Sequence, residues 1–477
     1  MRGEEKIKNL DKIFNPKSVA IIGVSNDPRK LGYQCLKALL MDGYQGKIYP
    51  VHPQLKELIG VKVYNNLDEI DDQIDLAIIA ISAPNVPDVL KECAKKNIKG
   101  VIVISSGFKE LGKQGELLEE QLKKIAEEHS ICIVGPNCLG ATNTKINLNA
   151  TFFPSFVKVK SGSVSLISQS GGITGNLLYH AVDIGTGIAK FVSVGNRCNL
   201  DFADYIEYFY RDPETKVIGI FLEGTEDARR MYEVAKQVTK TKPILVYKAG
   251  KTKTGIKSVK SHTGSLAGRS ELYSAVFRQA GIIEVQSIKE LVEAAKALSV
   301  VKYSPKGNRV AIITHTAGPS IVATDILEAR GCKLAELSKE TIKNIQSLLP
   351  FSIPITNPVD MLGFGYAIPE LYGETVKRVL ADNNVDFLLA IYSPSFQSEI
   401  RVPAKEMIEA LEEYRKPIVA VLNAPISKKP KEAENLEKAG IPVFFDPESG
   451  AKASAILIYY YTKIKPKILD SDILNSE

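Results

Sequence analysis

The chain has 477 residues, 44% hydrophobic and 24% charged, which suffices for several buried cores and points by length to about three domains. Its 61 basic and 55 acidic side chains leave a net charge of +6 with no long single-sign block, so neither nucleic acid nor another polyanion is demanded as a partner. The charged start, Met1-Arg2-Gly3-Glu4-Glu5-Lys6, is unlike a secretory signal, and no run approaches the ~18 apolar residues of a membrane span, so a cytoplasmic protein is expected. Cys35, Cys93, Cys132, Cys138, Cys198 and Cys332 form no CxxC pair, which argues against a disulfide framework and a cysteine zinc site; reduced, mostly buried thiols are expected, with no metal site on this chain.

From residue 18, short β-branched runs alternate with helical stretches, and strands are predicted at 18–22, 47–51, 76–81, 100–104 and 132–134. This is the pattern of a parallel, doubly wound sheet. After an irregular stretch around 150–160 the pattern restarts, with strands at 163–167, 187–194, 217–222 and 243–248. A third restart follows Tyr303, with strands at 309–314, 387–392, 417–422 and 442–445 and a turn-rich, proline-bearing loop at 349–358. The expected fold class is α/β, with three Rossmann-like or flavodoxin-like parallel-sheet domains in series at 1–149, 150–302 and 303–477.

The first strand runs into Gly23-Val24-Ser25-Asn26-Asp27-Pro28-Arg29-Lys30-Leu31-Gly32, a loop opening a helix. Such a loop either presents backbone N–H groups and a helix N-terminus to phosphate or is a plain glycine turn. A nicotinamide fingerprint fails, because the required second and third glycines are replaced by Ser25 and Pro28 and the second strand ends in Val51-His52-Pro53 without a carboxylate for the ribose. Gly250-Lys251-Thr252 is no P-loop either, since Leu245 stands where the first glycine belongs.

Of the histidines His52, His129, His180, His262 and His315, the one in a polar, glycine-punctuated stretch is His262, within Lys257-Ser258-Val259-Lys260-Ser261-His262-Thr263-Gly264-Ser265-Leu266-Ala267-Gly268. Two other features bear on it. Glu223 ends the apolar run 217–222, where a doubly wound sheet places functional groups, and a carboxylate there can accept an imidazole Nδ1–H and sharpen Nε2 as a nucleophile; alternatively it faces water. Ser168-Gln169-Ser170-Gly171-Gly172 joins a strand to a helix with small residues, either a phosphate cradle or an ordinary turn.

Taken in order, residues 18–32, Tyr49-Pro50-Val51-His52-Pro53, Ile81-Ser82-Ala83-Pro84 and Gly135-Pro136-Asn137-Cys138-Leu139-Gly140 resemble the CoA-binding domain of the succinyl-CoA synthetase superfamily. The resemblance implies that Gly23, Ser25 and Gly32 line the CoA phosphates, that Ser82, Ala83 and Pro84 flank the nucleotide, and that Asn137 lies toward the pantetheine arm, with Arg29 and Pro53 in the same CoA site. His52 departs from the family's usual Asn. Cys138 is then close to the expected CoA thiol, as an acyl-carrying or redox group or as a small buried residue. Ser168–Gly172, Gly195-Asn196, Glu223-Gly224 and the His262 segment resemble the superfamily's ligase domain, and Ser-His-Thr-Gly-Ser-Leu-Ala-Gly is similar to the ADP-forming acetyl-CoA synthetases.

That resemblance implies an acid–thiol ligase converting acyl-CoA, ADP and phosphate to carboxylic acid, CoA and ATP. It further implies that phosphohistidine forms on His262, that Glu223 orients it, that Ser168, Gln169, Ser170, Gly171 and Gly172 bind phosphate, and that Gly195 and Asn196 lie near the acyl end. The third domain resembles the extra module of these enzymes through Asn357-Pro358-Val359-Asp360, but Thr314-His315-Thr316-Ala317-Gly318-Pro319 departs from its glycine run, so His315 and Asp360 receive no catalytic role. With no ATP-grasp fold before the short polar tail at 469–477, ADP/ATP and Mg2+ are expected on a separate ATP-grasp beta subunit in a heterotetramer. The rival readings are a non-catalytic CoA-binding regulatory or scaffold protein of the same superfamily and a nicotinamide oxidoreductase.

Overall fold

The apolar runs become strands buried on both faces, as parallel strands covered by helices must be. The computed structural model describes residues 3–153, 159–263, 269–349, 354–394 and 401–466, with backbone alone for 260–263. Two compact units result, Met1–Leu291 and Val292–Glu477.

The first unit holds two sheets. One contains β1 (Ser18–Ile22), β2 (Lys47–Val51), β5 (Leu76–Ile79), β6 (Gly100–Val103) and β7 (Cys132–Val134) in the order β2-β1-β5-β6-β7; a small hairpin of β3 (Glu57–Leu58) and β4 (Val61–Lys62) stands apart. The other contains β8 (Gly140–Asn143), β9 (Leu148–Thr151), β10 (Ser161–Ser168), β11 (Ile188–Ser193), β12 (Val217–Leu222), β13 (Ile244–Lys248) and β14 (Ile283–Glu284), in the order β14-β13-β12-β10-β11-β8-β9. Chain direction across each sheet reverses beside its first long strand, at β1/β5 and at β10/β12. The crevices outside these two switch points are where a doubly wound sheet offers binding sites.

The hairpin β8–β9 departs from the expected pattern. It pairs antiparallel with β11, so the second sheet begins at Gly140 rather than after an irregular stretch near 150. Gly-Ala-Thr-Asn and Leu-Asn-Ala-Thr are too short and polar to register as apolar strands; Asn143 instead locks the edge, its Nδ2 donating to the Phe14 carbonyl at 3.0 Å.

The second unit carries one sheet of β15 (Arg309–Thr314), β16 (Lys333–Leu334), β17 (Val359–Asp360), β18 (Phe387–Tyr392), β19 (Ile418–Leu422) and β20 (Val443–Phe444). Its main path, β16-β15-β18-β19-β20, repeats the order β11-β10-β12-β13-β14 of the second sheet. Asn357 ties the long loop to this sheet, donating to the Val310 and Ala335 carbonyls and accepting from Ile312 N–H. Among the described residues no helix is long and apolar enough to cross a membrane.

Candidate functional site

At the β10/β12 switch point, the residues after β10 turn directly into the helix Gly171–Ile184. Its N-cap, Ser170, makes no side-chain cap bond, and its first turn holds no acidic residue, so its leading N–H groups keep the partial positive charge of a helix start. A Cβ built on Gly172 would meet nothing within 4 Å, and one on Gly171 would only touch Leu139 at 4.0 Å. The backbone is therefore open to a ligand on this side. Ser168 Oγ and Thr174 Oγ1 both donate to the Ser170 carbonyl, which fixes the turn.

Across the switch point, Glu223 follows β12 and is 6% exposed. Side chains hold five backbone polar groups of the turn it begins. Gln169 Oε1 accepts from Glu223 N–H at 2.9 Å and from Gly224 N–H at 3.1 Å. Lys248 Nζ donates to the Glu223 carbonyl at 2.8 Å, Arg197 Nη1 to the Gly224 carbonyl at 2.7 Å, and Thr225 N–H donates to Tyr273 Oη at 3.2 Å. A buried turn held by side chains from four different elements is rigid, and rigidity is what an orienting carboxylate needs.

The β1/β5 switch point gathers the other expected residues. Gly23 has φ +92° and Gly32 is the second residue of the helix Leu31–Met41; a Cβ on Gly32 would lie 2.0 Å from the Gly23 carbonyl oxygen, and one on Gly23 would lie 2.7 Å from the Ala80 oxygen. The two glycines thus let loop, helix and the end of β5 close on one another. Ser25 Oγ accepts from Asp27 N–H, and Arg29 projects into solvent, held only to Asp27, whose carboxyl its guanidinium keeps below the ordinary range. Beside them, Ser82 precedes a single turn over Ala83–Asn85, and His52 Nδ1 accepts from the N–H groups of Gln54 and Leu55, shaping the turn after Pro53.

A cavity of about 420 Å³ connects the two regions, and six expected residues line it: Asn137, Gln169, Gly171, Gly172, Gly195 and Asn196. Leu31, Ile104, Leu139, Phe152 and Phe153 supply its apolar wall. Asn137 is in the left-handed region at φ +57°, and a Cβ on Gly195 would sit 2.3 Å from the Pro136 oxygen, so these loops interlock. Asn196 is committed elsewhere, its Nδ2 donating to Glu110 at 2.6 Å and Glu119 at 2.9 Å while its own oxygen faces Asn137 Nδ2 at 3.4 Å. Cys138 also borders the cavity, but its thiol donates to the Val103 carbonyl and burial pushes its pKa up to about 12, which suits a packed residue rather than a nucleophile.

Residues 17–144 match the model described as a CoA binding domain, and residues 161–298 the one described as a succinyl-CoA ligase like flavodoxin domain. The chain is 43% identical over 455 residues to the acetate–CoA ligase [ADP-forming] II subunit alpha of Pyrococcus furiosus, covering 94% of this chain and 97% of that one. The chain belongs to the ADP-forming acetate–CoA ligase family. The family also includes the acetate–CoA ligase [ADP-forming] I of Archaeoglobus fulgidus, 39% identical over 96% of this chain, of which the chain spans 64%. Among solved structures, the dinucleotide forming acetyl-coenzyme A synthetase 1 of Ca. Korarchaeum cryptofilum, in complex with phosphate and ADP, superposes with a TM-score of 0.87 at 34% identity, covering 97% of this chain and 98% of that one.

Within this family member, His262 falls in the last turn of the helix Lys253–Thr263, and its side chain, like residues 264–268, lies outside the described residues. Lys248, Arg197 and Tyr273 escaped the sequence reading. Lys248 carried a signal, since it ends an apolar run, as Glu223 follows one.

Proposed function

We propose that this chain is the CoA-binding, phosphohistidine-bearing alpha subunit of an ADP-forming acyl-CoA synthetase. The observation that carries the reading is the rigid Glu223 turn facing an uncapped helix N-terminus across the β10/β12 switch point, with open glycines between. In the reaction, phosphate attacks the thioester carbonyl and displaces CoA as the thiol, giving an acyl phosphate. The His262 imidazole then takes the phosphoryl group, releasing the carboxylate, and transfers it to ADP. Ser168, Gln169, Ser170, Gly171 and Gly172 hold the phosphate through backbone N–H groups and the helix end, which stabilise the negative charge without reorganising. Glu223 accepts the imidazole Nδ1–H and leaves Nε2 to attack. Gly23, Ser25, Arg29, Gly32, Pro53, Ser82, Ala83, Pro84 and Asn137 hold CoA, whose pantetheine arm enters the cavity along Asn137. Gly195 contributes to the acyl end as backbone, and Asn196 acts as a strut for the cavity wall.

Relatives named as alpha subunits, and longer single-chain relatives of which this chain spans about two thirds, support a partner. We assign it an ATP-grasp fold carrying ADP/ATP and Mg2+, in a cytoplasmic heterotetramer. Domains follow the three sheets, with the hairpin from Gly140 given to the second.

Labelled ATP supplied to the complete enzyme should leave acid-labile label on His262. His262→Ala should abolish it, and Glu223→Gln should slow it while leaving thermal protection by CoA nearly intact. Label surviving in His262→Ala, or located on another histidine, would overturn the reading.

A further inference from the structure

One side chain that grips the Glu223 turn has no part in the chemistry above. Lys248, the last residue of β13, lies in register with Leu222 and is fully buried. Its Nζ donates to the carbonyls of Glu223 at 2.8 Å and Ala249 at 2.6 Å and lies 4.7 Å from the centre of the Tyr273 ring. Lysine is rarely buried so completely, and an ammonium bonded to neutral carbonyls gains little against its desolvation. A structural strut at this position needs no charge.

The second unit supplies an internal control. There β18 and β19 repeat β12 and β13, with Tyr392 in register with Leu422 as Leu222 is with Lys248. His315 occupies the place of Gln169 and accepts from Ser393 N–H through Nε2 at 2.9 Å, so Ser393 stands where Glu223 does. The repeat keeps the first bond of the clamp, and serine and leucine replace the carboxylate after β12 and the lysine that ends β13.

We propose that Lys248 is a positioning residue for phosphoryl transfer, whose ammonium holds the Glu223 carbonyl and offsets the negative charge that Glu223 and a phosphoryl group bring to the end of β12. The proposal rests on Glu223 orienting the phosphorylated imidazole. The charged and titratable groups around Lys248 are Glu223 after β12, Tyr273 on the helix Ser270–Ala280, Lys251 beyond β13, Glu284 on β14, and Arg197, which bonds the next carbonyl. Burial dominates among these influences and brings the Lys248 pKa down to about 8, with Glu223 acting in the opposite direction. The charge that supports the turn is therefore half lost near pH 8.

The test is single-turnover labelling of the complete enzyme by labelled inorganic phosphate and acetyl-CoA without ADP, followed across the range on either side of pH 8. The wild type should slow on the alkaline side of about pH 8. Lys248→Arg, which keeps its charge, should lose that alkaline limb, and Lys248→Met should label at least about tenfold more slowly near neutrality, with thermal protection by CoA unchanged. Labelling of Lys248→Met at the wild-type rate, or a wild-type alkaline limb in Lys248→Arg, would overturn the proposal; if Lys248→Met does not fold, the arginine profile decides alone. Glu223→Gln run in parallel separates the two ideas: a slow Glu223→Gln with a normal Lys248→Met defeats only the lysine, whereas a normal Glu223→Gln defeats the orienting role on which the lysine depends.

Discussion

Gln169 joins the phosphate cradle to the Glu223 turn, and two substitutions there separate its roles. Its Oε1 receives two backbone N–H groups, from Glu223 and Gly224, and the residue is 2% exposed. Gln169→Ala strips both donors of their acceptor in a buried place, at about 1–3 kcal/mol each, or about 2–5 kcal/mol together after relaxation. For a unit of this size that is a fall in Tm of about 3–8 °C, and the freed turn should also slow labelling of His262. Gln169→Glu keeps an acceptor oxygen in the same place for both bonds. It also puts a carboxylate on the wall of the 420 Å³ cavity beside Gly171 and Gly172. A unit charge about 5 Å from another, in surroundings of effective dielectric near 20, costs about 3 kcal/mol, so phosphate-dependent labelling should fall by roughly a hundredfold. Thermal melts and rates of acid-labile labelling read both effects. A Gln169→Glu chain labelled at the wild-type rate would remove phosphate from this wall, and a Gln169→Ala chain with unchanged Tm would refute the clamp.

Arg29→Ala should weaken CoA protection and leave unliganded stability within about 0.5 kcal/mol of wild type, since the side chain is 89% exposed and touches only Asp27; CoA titration by thermal shift checks it. Gly32→Ala, by contrast, should lower Tm even without CoA, because its Cβ would lie 2.0 Å from the Gly23 oxygen, and an unchanged melt would show that the loop yields. Lys248 also predicts a pH effect on stability. Its folded pKa of about 8 lies below the ordinary 10.5, so the cost of the buried charge is fully present below about pH 8 and is relieved between these values. The stability of the wild type relative to Lys248→Met should therefore rise by on the order of 3 kcal/mol over that interval, and a flat difference in denaturant melts would refute the depressed ammonium.

The long apolar strands were legible because a parallel strand buried on both faces is a near-continuous β-branched run, as in Ser18–Ile22 or Val217–Leu222. The hairpin at Gly140–Thr151 was not, since its strands are four residues each and mix Asn and Thr with few apolar residues, and Asn143 and Asn149 are held by bonds to Phe14 and Thr151. The cavity-lining residues were legible as short motifs of glycine and small polar groups. What the motifs could not convey was division of labour among them: Gly32 and Gly195 serve close backbone approach, and Asn196 spends its amide on Glu110 and Glu119. Lys248 and Arg197 act on carbonyls of residues far away in sequence, 25 and 27 positions off, and such pairings exist only once β11, β12 and β13 lie in one sheet.

The repeated sheet shows why fold alone does not place the chemistry. Both β10/β12 and β15/β18 form a switch point, and both present a helix after a turn in which a hydroxyl donates two residues ahead, Ser168 to the Ser170 carbonyl and Thr314 to the Thr316 carbonyl, each at 2.8 Å. In the second copy a histidine is present, yet His315 Nε2 is occupied by Ser393 N–H, and burial lowers its pKa. An imidazole held this way would have to give up a buried backbone bond to attack; Ser393 offers no carboxylate, and Asp360, which ends β17, raises the His315 pKa less than burial lowers it. The backbone geometry common to both copies can hold an anion at either place. The copy with a carboxylate after β12, backed on our proposal by the ammonium that ends β13, is the one suited to hold a neutral imidazole in the tautomer that accepts a phosphoryl group, and the proposed transfer step belongs there.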